Sequence, residues 1–168
     1  MNLTPTQFVR YIAVIFFAIA ADQLSKWLVL TRFNFAERLN IVPNFFDLTL
    51  VFNTGAAFSF LANAGGWQKF FFLGLAVVVC GYLLRAIWKN EFGSVGKWGA
   101  ALIVGGAVGN VIDRLVHGHV IDFLLFYIKN WYYPAFNAAD SFICVGVVLL
   151  LWDGFCSKKD VDLIKKAR

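Results

Sequence analysis

Charge is the scarcest property of this 168-residue chain: 15% of its residues are Asp, Glu, Lys or Arg, against 60% hydrophobic and 18% aromatic. Soluble domains are about half apolar and roughly a quarter charged, so this balance excludes an ordinary soluble domain and points to a membrane protein. The net charge of +5 is not gathered into a basic stripe. Nucleic acid is therefore not an expected partner, and membrane topology explains the excess better. Cysteine is nearly absent too. Cys80, Cys144 and Cys156 lie in or beside apolar runs without metal-type spacing, and read as small packed or lipid-facing residues. No Gly-rich phosphate loop and no H-E-x-x-H is present, so no cofactor is expected. The lone H-x-H, His117 and His119, lacks a third ligand, and no metal is expected either. No internal repeat, low-complexity tract or linker divides the chain, which predicts a single integral membrane domain over 1–168.

What the chain has in abundance is long apolar runs. Four of them, near 11–30, 67–88, 98–115 and 135–152, reach the roughly 20 residues that a helical span needs. The first could be a signal peptide, with AIA at 18–20 as a cleavage site. Apolar residues resume at WLVL (27–30), which favours an uncleaved anchor. All six tryptophans, Trp27, Trp67, Trp88, Trp98, Trp131 and Trp152, fall near span ends, at the headgroup level that indole rings prefer. The expected fold class is an all-α membrane protein: a four-helix transmembrane bundle with a small extracytoplasmic β-rich loop region.

Basic residues set the direction. Arg10, Arg85, Lys89, Lys97 and the tail residues Lys158, Lys159, Lys165, Lys166 and Arg168 are nine of the fifteen. The positive-inside rule then makes both termini cytoplasmic. The outer loop 31–66 contains FFDLTLVFNTGAAFSFL (45–61), whose β-branched and aromatic content, ending in Asn53-Thr54-Gly55, predicts short strands and a turn. This stretch is expected to lie against the membrane and to cover the site as a lid. The second outer segment, 117–136, holds Asp122.

Asp122 lies near the start of that second segment and Asp140 just beyond its end, so antiparallel spans can bring them together at the outer face. Two neighbouring carboxylates do not both ionise cheaply; one keeps a proton while the other acts as a base, and such a pair can activate water against a peptide carbonyl. The bland alternative is two interfacial carboxylates making caps or ion pairs. Gly106, Asn110 and Arg114 recur every four residues and share a helix face. Asn110 and Arg114 are either donors to substrate or helix-to-helix glue, and Arg114 is expected to balance a carboxylate. Gly105 and Gly109 form a small-xxx-small packing pattern. Asp22 and Lys26 have the spacing of a local structural ion pair. Asn137 is expected to orient a water or to cap the last helix, after Pro134 in the loop. Ser141 has neither a G-x-S-x-G setting nor an obvious base.

Five motifs in order, DQLSK (22–26), NTGAAF (53–58), GNVIDR (109–114), HVIDF (119–123) and FNAADS (136–141), resemble those of bacterial lipoprotein signal peptidase, the signal peptidase II family. The likeness extends over most of the chain. It implies an aspartyl endopeptidase of the inner membrane with its active site near the outer, periplasmic face. Such an enzyme cleaves diacylglyceryl-modified prolipoproteins just before the lipidated cysteine. The resemblance implies Asp122 and Asp140 as the catalytic pair. It implies Asn53, Gly55, Asn110, Arg114 and Asn137 as substrate-positioning or site-shaping residues, and Asp22 and Lys26 as structural. It also implies lipid-modified prolipoproteins and membrane lipid as partners and inhibition by globomycin.

Two other classes remain open at this level. A proton-conducting bundle predicts ionisable residues stepping across the membrane, whereas Asp22, Lys26, Asp113, Arg114, Asp122 and Asp140 gather toward one half. A scaffold subunit would leave that clustering without a role.

Overall fold

The structure, a computed structural model, describes residues 2–55 and 67–166. Among these, four helices are long and apolar enough to cross a membrane: α1 (Pro5–Arg32), α2 (Gln68–Trp88), α3 (Ser94–Val116) and α4 (Ala138–Lys166). Helix α1 begins at a capping box. The Thr4 hydroxyl accepts from the Gln7 amide at 3.3 Å, the Gln7 side chain accepts from the Thr4 amide at 3.0 Å, and Pro5 follows the cap. Large apolar side chains such as Phe16, Phe17, Val78 and Val148 stand exposed around the bundle. Water would not tolerate that area, and lipid does.

Helix α3 is the centre of the bundle and touches the other three helices. Its small residues make this possible. A Cβ on Gly99 would stand 2.6 Å from the Gly146 carbonyl oxygen, and one on Gly106 would overlap the Ala139 carbonyl of α4. Backbone-to-backbone approach of this kind replaces the hydrophobic driving force that helices lack in lipid.

At the end of the bundle where α1 and α3 stop and α4 starts sits an antiparallel sheet of four strands: β1 (Arg38–Val42), β2 (Phe46–Asn53), β3 (Val120–Ile128) and β4 (Trp131–Tyr132). Alternation along the strands sorts its faces. Leu50, Ile121 and Phe123 pack with Val29 into a small core over the helix ends. Thr49, Val51, Asn53 and Asp122 line a cavity on the other side, with Val51 paired to Asp122.

Three expectations change. The strands are not confined to 45–61 but include 38–42, 120–128 and 131–132. Within 45–61, residues 46–53 form β2, an interior strand between β1 and β3, and so a wall of the cavity rather than a lid; residues 56–61 lie outside the described residues. The last helix starts at Ala138 and not at Ala135, because Phe136 forms a β-bridge with Leu124 and Asn137 serves as the cap.

Candidate active site

The first turn of α4 explains why an aspartate opens an apolar helix. The Asn137 side chain accepts from the Asp140 amide at 3.0 Å, and Asp140 Oδ2 accepts from the Asn137 amide at 3.2 Å. This reciprocal pair satisfies two amides that the helix itself leaves unbonded, at the end where the helix dipole favours a carboxylate. Asn137 therefore caps the helix. It also does more, for its Nδ2 donates to Asp122 Oδ1 at 2.7 Å and to Asn110 Oδ1 at 3.2 Å.

Asp122 comes from β3 and is 2% exposed. Its second oxygen accepts from Asn53 Nδ2 at 3.0 Å, while Asn53 Oδ1 accepts from the Gly55 amide at 3.0 Å, which fixes the orientation of that asparagine. Asn110 supplies the bond to the other aspartate: its Nδ2 donates to Asp140 Oδ1 at 2.8 Å. The two carboxylates are thus linked Asp122–Asn137–Asn110–Asp140 through neutral amides, and both line one cavity of about 1140 Å³. Burial, and then the charge of Asp140, push the Asp122 carboxyl up to about 7; its bonds to Asn53 and Asn137 and the charge of Lys26 oppose the rise. Near neutral pH Asp122 therefore still has a proton to give.

Arg114 reaches the same cavity from α3, but not as an ion-pair partner. Its Nη2 donates to the Gly55 carbonyl at 3.1 Å and its Nη1 to the Asn110 carbonyl at 3.2 Å. The guanidinium also lies over the Phe72 ring at 5.0 Å. Among the described residues no carboxylate comes within 4.0 Å of it. The expected balance with a neighbouring aspartate is therefore a longer-range one, because the carbonyls of the Asn53–Gly55 turn and of α3 occupy the guanidinium instead. Ser141 is committed as well, donating to the Asn137 carbonyl at 3.0 Å.

Behind the cavity, Asp22 and Lys26 form the expected ion pair at 2.8 Å, with a partner the sequence did not single out: Asp113 also meets Lys26 Nζ at 2.8 Å. Gln23 ties the two carboxylates together at 3.2 and 2.9 Å. Asp22 Oδ1 accepts from the Ala139 amide at 2.9 Å, and Asp113 Oδ2 from the Ile121 amide at 3.1 Å. One cluster thus locks α1, α3, α4 and β3 beside the two aspartates. The signal for Asp113 was present, since Gly105, Gly109 and Asp113 continue the spacing of four on α3 and Gly109 lies against the Asp22 carboxylate.

The histidines stand apart from this chemistry. The His119 ring lies tilted against Phe52 at 4.3 Å, with the His117 ring 6.0 Å away, and burial, with the His117 charge adding to it, lowers its pKa. Among the described residues no group of three or more His, Cys, Asp or Glu side chains is placed to hold a metal, and all three cysteines are free.

Residues 14–156 match the family model of signal peptidase (SPase) II. The chain belongs to this family. A lipoprotein signal peptidase of Neisseria meningitidis serogroup C (strain 053442) is 64% identical over 151 residues, covering 90% of this chain and 92% of the relative. Another, from Chromobacterium violaceum, is 52% identical over 145 residues, covering 86% and 90%. Among solved structures, a bacterial membrane enzyme determined by the in meso method at 2.3 Å resolution superposes with a TM-score of 0.78 at 28% identity, covering 90% of this signal peptidase II chain and 89% of its own.

Proposed function

We propose that this signal peptidase II is an aspartyl endopeptidase whose catalytic pair is Asp122 and Asp140. Family membership carries the overall reaction, removal of signal peptides from prolipoproteins during lipoprotein maturation. The observation that carries the catalytic type is the shared cavity: two carboxylates bridged by amides alone, one of them holding its proton up to about 7.

In the proposed reaction a water molecule lies between the carboxylates. Asp140 takes a proton from it as the oxygen adds to the scissile carbonyl, and Asp122 protonates that carbonyl oxygen. Collapse of the tetrahedral intermediate breaks the C–N bond as the amine takes the proton now on Asp140, and Asp122 recovers its own. Asn53, Gly55 and Arg114 border the cavity. Guanidinium N–H groups that meet no acceptor among the described residues would serve the substrate backbone.

The substrate we infer is a diacylglyceryl-modified prolipoprotein, cut immediately before its lipidated cysteine, in the bacterial inner membrane. Acyl chains hold such a substrate in the bilayer, each buried methylene contributing about 0.8 kcal/mol. That anchoring presents the scissile bond at the interface and lowers the entropic barrier to reaction. The sheet and cavity then belong on the outer face, with both termini cytoplasmic. A globomycin-type cyclic peptide is the expected inhibitor at this cavity. A proton relay is disfavoured because residues 100–109 of α3, between buried Lys97 and Asn110, carry no polar side chain.

The test is incubation of a lipidated precursor peptide with the purified protein and mass analysis of the products. A cut just before the modified cysteine, lost in Asp122→Asn and in Asp140→Asn proteins that still fold, is the expected result. Near-normal turnover by either variant would remove the pair from the mechanism.

A further inference from the structure

Lys26 is almost completely buried and satisfies two carboxylates, which would complete a purely structural role. It makes a third contact, however, and that contact points at the reaction centre. Its Nζ donates to Asn110 Oδ1 at 3.1 Å, and the Nδ2 of the same amide donates to Asp140 Oδ1 at 2.8 Å. An ammonium group only donates, so it forces the oxygen of Asn110 toward itself and the NH₂ group toward Asp140. A charge at one end of an amide also polarises the donor at the other end, strengthening that bond.

We propose that Lys26 is a positioning residue for peptide-bond cleavage, acting through the Asn110 amide to hold and polarise the hydrogen bond that orients Asp140. The relay crosses three helices, with Lys26 on α1, Asn110 on α3 and Asp140 on α4. The same cluster also fixes the backbone beside Asp140, because Asp22, which Lys26 holds, accepts from the Ala139 amide. The Lys26 charge reaches the other aspartate too, where it opposes the upward shift of Asp122. This inference rests on the assignment of Asp122 and Asp140 as the catalytic pair and adds a residue that touches neither.

A double-mutant cycle in kcat separates this role from simple support of the fold. Wild type, Lys26→Met, Asn110→Ala and the double variant are purified in detergent as full chains. Steady-state cleavage of a lipidated precursor peptide is then measured over a range of substrate concentrations and normalised to folded protein. Lys26→Met is expected to lower kcat at least tenfold with KM within about twofold, and to lower it less than twofold further once Asn110 is already Ala. Lys26→Arg, which keeps charge and donor, is expected to restore most of the rate. Because Lys26→Met leaves two carboxylates without their cation, Lys26→Met/Asp113→Asn serves as the charge-balanced companion, and it should show the same loss of kcat. An equal loss from Lys26→Met in both Asn110 backgrounds would overturn the proposal. So would wild-type kcat in the charge-balanced variant. Asp122→Asn and Asp140→Asn in the same assay report separately on the catalytic pair.

Discussion

Two pairs of carboxylates lie side by side at one end of the bundle, and they are held in opposite ways. Asp22 and Asp113 share one ammonium, each 2.8 Å from Lys26 Nζ, and are 0% and 1% exposed. Asp122 and Asp140 share no cation within 4.0 Å among the described residues; amides of Asn53, Asn110 and Asn137 hold them, and they face a cavity. An ammonium bridge sets one cation directly against both carboxylates, which suits a fastener between helices. Amide bridges fix the geometry but leave the charge uncompensated, so burial and mutual repulsion lift one carboxyl to about 7. The bridging group, more than the carboxylates themselves, separates the fastener from the proposed reaction centre.

The largest effect expected from disturbing this contrast is in cleavage. Asp122→Asn and Asp140→Asn should each lose about a thousandfold or more in rate while unfolding at nearly the wild-type temperature. Asp113→Asn should lose activity only in proportion to folded protein. A thousandfold loss from Asp113→Asn with an intact fold would erase the distinction. Next comes stability: Lys26→Leu strands two buried carboxylates and should cost about 3–5 kcal/mol in reversible unfolding. A change within 1 kcal/mol would mean the ammonium is not the fastener (roughly the scale of an exposed pair).

The pH dependence sharpens the same comparison. Asp122 is raised from its ordinary carboxylate value to about 7, so the folded protein binds that proton more tightly than the unfolded chain. Its contribution to stability is complete at acid pH and is lost as pH rises through about 7. On the proposed mechanism, cleavage should fall as pH rises through about 7, where Asp122 loses the proton assigned to it. The smallest effect is expected from Asn53→Ala. This removes a bond that favours the ionised form of Asp122 and should move the alkaline limb upward by less than about one unit. A downward shift would contradict the assignment of that limb.

Much of the fold, and the placement of the candidate site, was legible in the residues. Apolar runs and tryptophans marked four spanning helices, and FNAADS with VIDF marked the two aspartates. Strand β3 was not read, because VIDFLLFYI between HGH and KN is an apolar run with no clean alternation; only pairing with β2 makes it a strand. The start of α4 was placed too early since Ala135-Phe136 continues the apolar pattern, whereas the Phe136 backbone is taken by Leu124. The orientation of the three asparagines was beyond sequence. It depends on Lys26, Gly55 and the Asp140 amide arriving from other elements or neighbouring turns.

The contrast between the two carboxylate pairs can be tested most directly by isotope-edited infrared spectroscopy of the reconstituted protein across neutral pH. The expected result is a protonated-carboxyl stretch that disappears as pH rises through about 7, is missing in Asp122→Asn and persists in Asp113→Asn. A band that survives in Asp122→Asn and vanishes in Asp113→Asn would place the proton in the ammonium-bridged pair and contradict it.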